Sequence, residues 1–365
     1  MKSGIYLLQF CFISIILFSC KKSYHPHLSF YHWSVSETGE SYHAKHNDSV
    51  LYQFQTKKLY IKIMDIDWDE NYGVYPSTHY FLDDYLYYSN HKLSDSFHIV
   101  PVVFITNRAL EKTDTGAIKD LAQKIVLKAK FLVQGQRRYD SSNVKTIIDS
   151  SIRYNELQFD CDWTASTQKK YFLLLTYIKE LAADKMITST LRLHQYKYPS
   201  RTGIPPVDEL TLMCYNTGDI KNPDEVNSIF NYQKAKEYFT GNSAYPKKLN
   251  FALPAFDWSI IFKNNRFYKI DNSITEEFFA DTNTTRIKLN NQYIMLKDTV
   301  LNNVFLRKGD ILKRETISNE DLIKAAKLCS KARNSTDFDV IIYDIAHVNS
   351  NNYEAVKTAL DCFNN

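Results

Sequence analysis

Short apolar runs separated by amphipathic stretches set the pattern of this chain. Residues 28–33, 59–67, 98–106, 157–163, 187–194, 210–216, 249–256 and 338–344 are rich in β-branched and aromatic side chains and bounded by polar residues, which predicts eight strands. Between them the apolar positions recur at helical spacing. In 117–134 they are Ile118, Leu121, Ala122, Ile125, Ala129 and Leu132; in 167–182 they are Tyr171, Leu174, Leu175, Ile178 and Leu181. Helices are also expected over 226–239, over 316–332 with Ser318 or Asn319 as cap, and over 353–362, with a polar stretch of helical length at 49–56. Strands alternating with helices point to the α/β class and to one (β/α)8 TIM-type barrel over residues 28–365. An open doubly wound sheet is the alternative, but the first turn lacks its Gly-rich fingerprint. Two segments depart from the alternation. Residues 68–90 are Tyr-rich and read as an ordered loop, and 267–312 alternate at period two, which predicts a small β-rich insertion after the seventh strand.

The first apolar run is of another kind. Lys2 precedes residues 5–18, broken only by Gln9 and Ser14, which is short for a membrane span and suits a signal peptide. It ends in Leu17-Phe18-Ser19-Cys20, which resembles the bacterial lipobox. Residues 1–19 are then a lipoprotein signal peptide, Cys20 is the lipidation site, and 20–27 form a lipidated tether; a plain signal peptide is the alternative. Two acyl chains give the stable anchor that one does not. Lys21, in place of Asp, points to the outer membrane, on the periplasmic or the surface face.

Composition narrows the partners. With 45 basic and 41 acidic residues the net charge is +4, without the basic excess that nucleic acid asks for. Aromatic residues make up 14% of the chain, which suits stacking on sugars and also a plain aromatic core. Cys161 and Cys214 lie in apolar strands and read as buried, whereas Cys329 and Cys362 are open to pairing. No CxxC or Cys/His spacing suggests a metal, and no cofactor is expected.

The polar residues least at home in an apolar pattern fall at strand ends, where a barrel carries its ligand groups. Strand two ends Asp65-Ile66-Asp67-Trp68 and strand four ends Asp160-Cys161-Asp162-Trp163. Alternation puts Asp65 with Asp67, and Asp160 with Asp162, leaving Ile66 and Cys161 to face the helices. Carboxyls crowded into a barrel mouth repel one another and lose water, which raises some of their pKa values and creates a proton donor. The bland reading is a set of structural carboxylates held by Arg or backbone partners. Strand five ends Leu191-Arg192-Leu193-His194, with Arg192 and His194 on one face as charge partner and ligand contact, or as core ion pair and satisfied core histidine. Trp33, Trp68, Trp163 and Trp258 all fall at or just past strand ends, as a sugar-stacking cleft would require.

Phe159-Asp160-Cys161-Asp162-Trp163, Met213-Cys214-Tyr215-Asn216 and Ala252-Leu253-Pro254-Ala255-Phe256 resemble the family 18 glycoside hydrolases, chitinase-like TIM barrels. That family carries D-x-x-D-x-D-x-E on strand four, M-x-Y-D/N on strand six and commonly a β-rich insertion after strand seven. The resemblance implies a glycan or oligosaccharide as partner, with Asp162, Tyr215 and Asn216 orienting an N-acetyl group. Two positions depart from it: Leu157 stands at the first Asp and Thr164 at the catalytic Glu, so the family's acid is missing. The set His32-Trp33, Asp67-Trp68, Asp160 to Thr164, Arg192 to Gln195 and Pro205 to Asp208 is similar to a group of bacterial lipoproteins from which no activity carries over.

Three readings stay open. One is a glycoside hydrolase with relocated carboxylates, Asp162 as acid and Asp67 or Asp160 as its partner, with Asp65, Trp33, Trp68, Trp163, Arg192, His194, Tyr215, Asn216 and Trp258 binding substrate. The second is a non-catalytic glycan-binding lipoprotein on the same scaffold. The third is a structural envelope protein that binds no sugar.

Overall fold

The computed structural model describes residues 23–33, 40–82, 97–140, 143–148 and 153–364, apart from 242, 243, 273, 290 and 302. The proposed signal peptide and Cys20 lie outside the described residues. Eight parallel strands form the barrel: β1 (His25–His32), β2 (Lys58–Asp69), β3 (His98–Ile105), β4 (Glu156–Cys161), β5 (Met186–Arg192), β6 (Glu209–Met213), β7 (Leu249–Pro254) and β8 (Asp337–Tyr343). They follow one another round the sheet in chain order, and β1 pairs with both β8 and β2, which closes it. The chain therefore folds as a (β/α)8 barrel. Helices Glu40–Phe54, Ile118–Gln134, Gln168–Leu181, Asn319–Cys329 and Tyr353–Asp361 cover it outside.

Period-two alternation sorts each strand into two faces. Outward residues such as Phe159, Cys161, Leu191, Leu212 and Ile342 join the large core under the helices. Inward residues build a smaller aromatic cluster from Tyr31, Tyr60, Val100, Val102, Met213, Tyr215, Ala252, Phe256 and Ile341. Unlike a barrel filled with branched aliphatics, this interior holds charge. At its N-terminal end the Lys58 ammonium lies 2.7 Å from Glu156 and 2.6 Å from Asp339. Tyr60 donates to Asp339 (2.8 Å) and Thr188 to Glu156 (2.8 Å). One layer up, Tyr31 donates to Gln158, which donates to Thr211 (3.1 Å).

Several boundaries differ from the sequence reading. β1 begins at His25, inside the stretch read as tether. The Tyr-rich loop contains the strand Gly73–His79, which folds back antiparallel on the outer half of β2 as an arm above the barrel. The helix expected over 226–239 is confined to Tyr232–Tyr238, because Ile229 is drawn into the barrel interior. A hairpin, Gly135–Asp140 with Asn143–Ile148, follows the helix that ends at Gln134. The β insertion is real and wider than 267–312. Its five-stranded antiparallel sheet includes Trp258–Lys263 and Ile311–Glu315, the strands on which the chain leaves and re-enters the barrel. Cys329 and Cys362 are not paired; the four described cysteines are free, and Cys362 donates to the Thr358 carbonyl. Cys329 instead packs in the buried seam with Cys214.

Lys58 neutralises two carboxylates that have little water to fall back on. Lys58→Ala is expected to destabilise the protein by about 3 kcal/mol, read as a lowered midpoint in urea unfolding.

Candidate functional site at the barrel mouth

Asp160 sits at the C-terminal end of β4, facing inward two residues above Gln158. It is buried, and Thr190 on neighbouring β5 donates to it at 2.5 Å. Burial lifts its pKa, the Asp162 carboxylate lifts it further, and the Thr190 hydrogen bond, Arg192 and Lys62 only partly compensate, so it is pushed up to about 7. The phenols of Tyr31, Tyr215 and Tyr343 are pushed well above their ordinary value, first by burial, and Asp160 adds to each. They remain neutral hydrogen-bonding groups around the carboxyl.

Asp162, two residues on, is in a different setting. It is exposed, 3.2 Å from the Arg192 guanidinium. β4 ends at Cys161, so Asp162 lies just past the strand; Asp160 is enclosed and Asp162 lies on the rim.

β2 reaches the mouth by an irregularity. Its ladder with β3 pairs Lys62 with Val102 and then Met64 with Val103, skipping Ile63. The extra residue resets the parity. Lys62 and Asp65 thereby both face the interior, joined at 3.0 Å, and Thr78 of the arm also donates to Asp65. Asp67 is set apart. Arg108 grips it with two nitrogens (2.5 and 3.1 Å) and Thr106 donates at 2.7 Å. Burial alone would raise its pKa, but the Arg108 and Thr106 hydrogen bonds outweigh that and hold it below the usual carboxylate range. It is a charged strut between β2 and the segment after β3.

A belt of aromatic rings crosses the mouth. Trp33 meets Tyr343 edge-on at 5.5 Å, Tyr343 stacks on Tyr215 at 5.3 Å, Phe256 packs edge-on against both, and Trp258 meets Phe256 at 5.4 Å. Trp33, Tyr343 and Trp258 keep part of their surface open. The Lys62 ammonium lies 5.1 Å from the Trp33 ring centroid. Trp258 is fixed by donating its indole N–H to the fully buried Glu315 (2.7 Å), which also accepts from the Ser228 amide (3.0 Å) and pairs with Lys313 (2.7 Å).

The structure thus brings Asp160, Asp162, Asp65, Arg192, Trp33, Tyr215 and Trp258 to one mouth. Other expected site residues go elsewhere. Trp163 is 4% exposed and stacks on Tyr171 of the helix Gln168–Leu181, so it belongs to the outer core and offers no sugar a face. Trp68 pairs with Val74 beside the turn at the far end of the arm, under the Lys112 ammonium (4.7 Å). His194 does not share a strand face with Arg192, because β5 ends at Arg192 and the chain turns at once into the helix Leu193–Lys197. Asn216 is exposed in a left-handed turn (φ 55°), its amide on the Ile229 carbonyl. Thr164, at the position of the resembled family's acid, is exposed and its hydroxyl shares a hydrogen bond with Ser166 (2.8 Å). Sequence reasoning missed Lys62, Phe256 and Tyr343. Each carries an inward parity signal from its strand, but none is an unusual residue type for its place.

No family model and no curated protein matches the chain. Among solved structures it is similar to the catalytic domain of a psychrophilic chitinase B from Arthrobacter TAD20, at 10% identity over 94% of this chain and 96% of that one (TM-score 0.49). It is also similar to the spore cortex-lytic enzyme SleL of Bacillus cereus, at 12% identity over 92% and 75% of the two chains (TM-score 0.48). A third is a xylanase and α-amylase inhibitor protein of Scadoxus multiflorus, at 12% identity over 92% and 98% (TM-score 0.43). Likeness at this level transfers no activity.

Asp160 also sets a pH dependence of stability. Its folded pKa of about 7 lies above the unfolded value, so its contribution is fully present below about pH 4 and is lost as pH rises through 7. The stability difference between the native protein and Asp160→Asn should therefore fall by about 4 kcal/mol between pH 4 and pH 8. Denaturant titrations of both proteins across that range would show it, and a pH-independent difference would contradict a raised pKa.

Proposed function

We propose that this protein is an envelope lipoprotein acting on glycans, with the barrel mouth as its glycan site. The observation that carries the reading is the aromatic belt with the part-exposed rings of Trp33, Tyr343 and Trp258, beside a buried carboxyl that is part-protonated at neutral pH. Apolar sugar faces stack on such rings, and convergent polar groups fix their orientation. Glycosidic cleavage needs a carboxylic acid to protonate the leaving oxygen and a carboxylate to work opposite it. The acid role is better supported for Asp160 than for Asp162. Asp160 holds its proton near neutrality, whereas Asp162 is exposed beside Arg192 and Asp67 is kept ionised by Arg108. Asp162 is then the partner carboxylate, just past the end of the same strand on the rim of the mouth.

A second reading, capture of a glycan without cleavage, is favoured by Thr164. No carboxyl stands where the resembled family has its acid, and the Thr164 hydroxyl is engaged with Ser166. In both readings Cys20 anchors the protein to the outer membrane, and the family resemblance supports a chitinase-like ancestry.

The experiment is a glycan panel scored for both binding and reducing-sugar release. Trp33→Ala should weaken binding by about tenfold, as expected for losing one stacked ring. Asp160→Asn should bind and release nothing. Binding without release by the native protein would select capture, and no binding to any glycan would sink both readings. Separately, Cys20→Ser should move the protein from the membrane fraction to the soluble one; unchanged fractionation would rule out the lipid anchor.

A further inference from the structure

Beside the mouth, on the rim between β4 and β5, lies a cavity of about 340 Å³ whose wall includes Asp162, Thr164, Arg192, His194 and Arg201. Two short helices, Leu193–Lys197 and Pro199–Thr202, carry His194 and Arg201 there. They are pressed onto the helix Gln168–Leu181. Gln168 donates to the Thr202 carbonyl (2.5 Å), and a Cβ on Gly203 (φ 74°) would lie 2.2 Å from the Gln168 amide nitrogen. The rim segment is therefore held in one position against its neighbour.

The charges in this cavity do not cancel. Asp162 is the single carboxylate among its lining residues, and Arg192 already faces it at 3.2 Å. Among the described residues Arg201 has no carboxylate partner; its guanidinium rests over the Tyr198 ring, 4.7 Å from the centroid. The His194 ring likewise makes no hydrogen bond among the described residues, and burial and then Arg192 hold its pKa below the ordinary value. Thr at 164 matters here. A glutamate at that position would bring a second negative charge to the wall, whereas threonine brings a hydroxyl. The 14-residue helix Gln168–Leu181 also begins at this wall, with its N-terminal partial positive charge.

We infer that this cavity is an anion subsite, which takes an oxyanion substituent (a carboxylate, or a sulfate or phosphate ester) of an acidic sugar lying in the mouth. Arg201 is its principal contact and His194 a second donor. An arginine fork matches an oxyanion in shape, and a charge-assisted bond of this kind is stronger than a neutral one. The inference rests on the glycan reading above and narrows it to acidic glycans.

The test uses the purified full chain and four oligosaccharides: one containing glucuronate and one sulfated, each with its neutral counterpart. Sodium sulfate is titrated alone while the His194 ring is followed by NMR. The native protein should bind at least one acidic glycan about tenfold more tightly than its neutral counterpart. In Arg201→Gln that preference should shrink to within about threefold, with partial recovery in Arg201→Lys. Which acidic glycan is preferred tells carboxylate from sulfate. Equal binding of acidic and neutral glycans, or a preference untouched by Arg201→Gln, overturns the anion subsite and leaves the mouth reading standing. If no glycan binds, the mouth reading fails and sulfate decides the cavity by itself. A rise in the His194 pKa with sulfate in the native protein but not in Arg201→Gln upholds the site, and no rise overturns it.

Discussion

A closed parallel sheet obliges every inward side chain to share one narrow interior, and in this barrel much of that interior is polar. The strands send Lys58, Glu156, Gln158, Thr188, Thr211 and Asp339 inward, and each finds a partner across a strand boundary. An unpaired charge there would cost several kcal/mol, so the register between neighbouring strands cannot slip without breaking these pairs. The floor of ion pairs, the middle layer of Tyr31 and Gln158, and the Asp160 mouth are successive layers built on one constraint. Position along the strand then decides the partners. Burial raises the pKa of both acids; Glu156 at the floor has Lys58 and Thr188 against it, while Asp160 two turns of the pleat higher has the Thr190 hydroxyl, Arg192 and Lys62 to offset its burial.

The same logic explains why neighbouring carboxylates at the mouth behave so differently. Asp67 is gripped by a guanidinium fork and two further donors, which favours its charged form. Asp160 has one hydroxyl donor and a like charge nearby, which favours the neutral form. Environments that push paired titratable groups apart in this way are what acid–base chemistry uses. The aromatic belt complements them, because neutral phenols can donate toward a carboxyl without adding charge.

Strand number and the inward placing of Asp160 at the end of the fourth strand were legible in the chain, since period-two patterning survives any detail of packing. The insertion was also legible, because its alternating strands contrast with the buried runs around them. What local pattern could not show was set by long-range geometry. The skipped residue at Ile63 decides that Lys62 and Asp65 share a side, and only pairing with β3 reveals it. Trp163 looks like a cleft residue by position, yet the following helix supplies Tyr171 to cover it. His194 was misplaced because helix onset directly after Arg192 carries no breaker residue to announce it. The identity of the better acid rested on burial, which no spacing encodes.

The insertion leaves and rejoins the barrel on paired strands, with Trp258 directly opposite Glu315 in the ladder. Its two junctions with the rest of the chain are therefore side by side. Such a segment is a detachable cassette in evolutionary terms: a gene rearrangement could excise it or exchange it for another without stretching the barrel, because a short turn would bridge the gap. The Glu315 carboxylate, shared among Trp258, Ser228 and Lys313, is the clasp that any replacement would have to reproduce. The shape of one wall of the mouth is thus free to diversify among descendants of this barrel while the interior that supports it stays fixed.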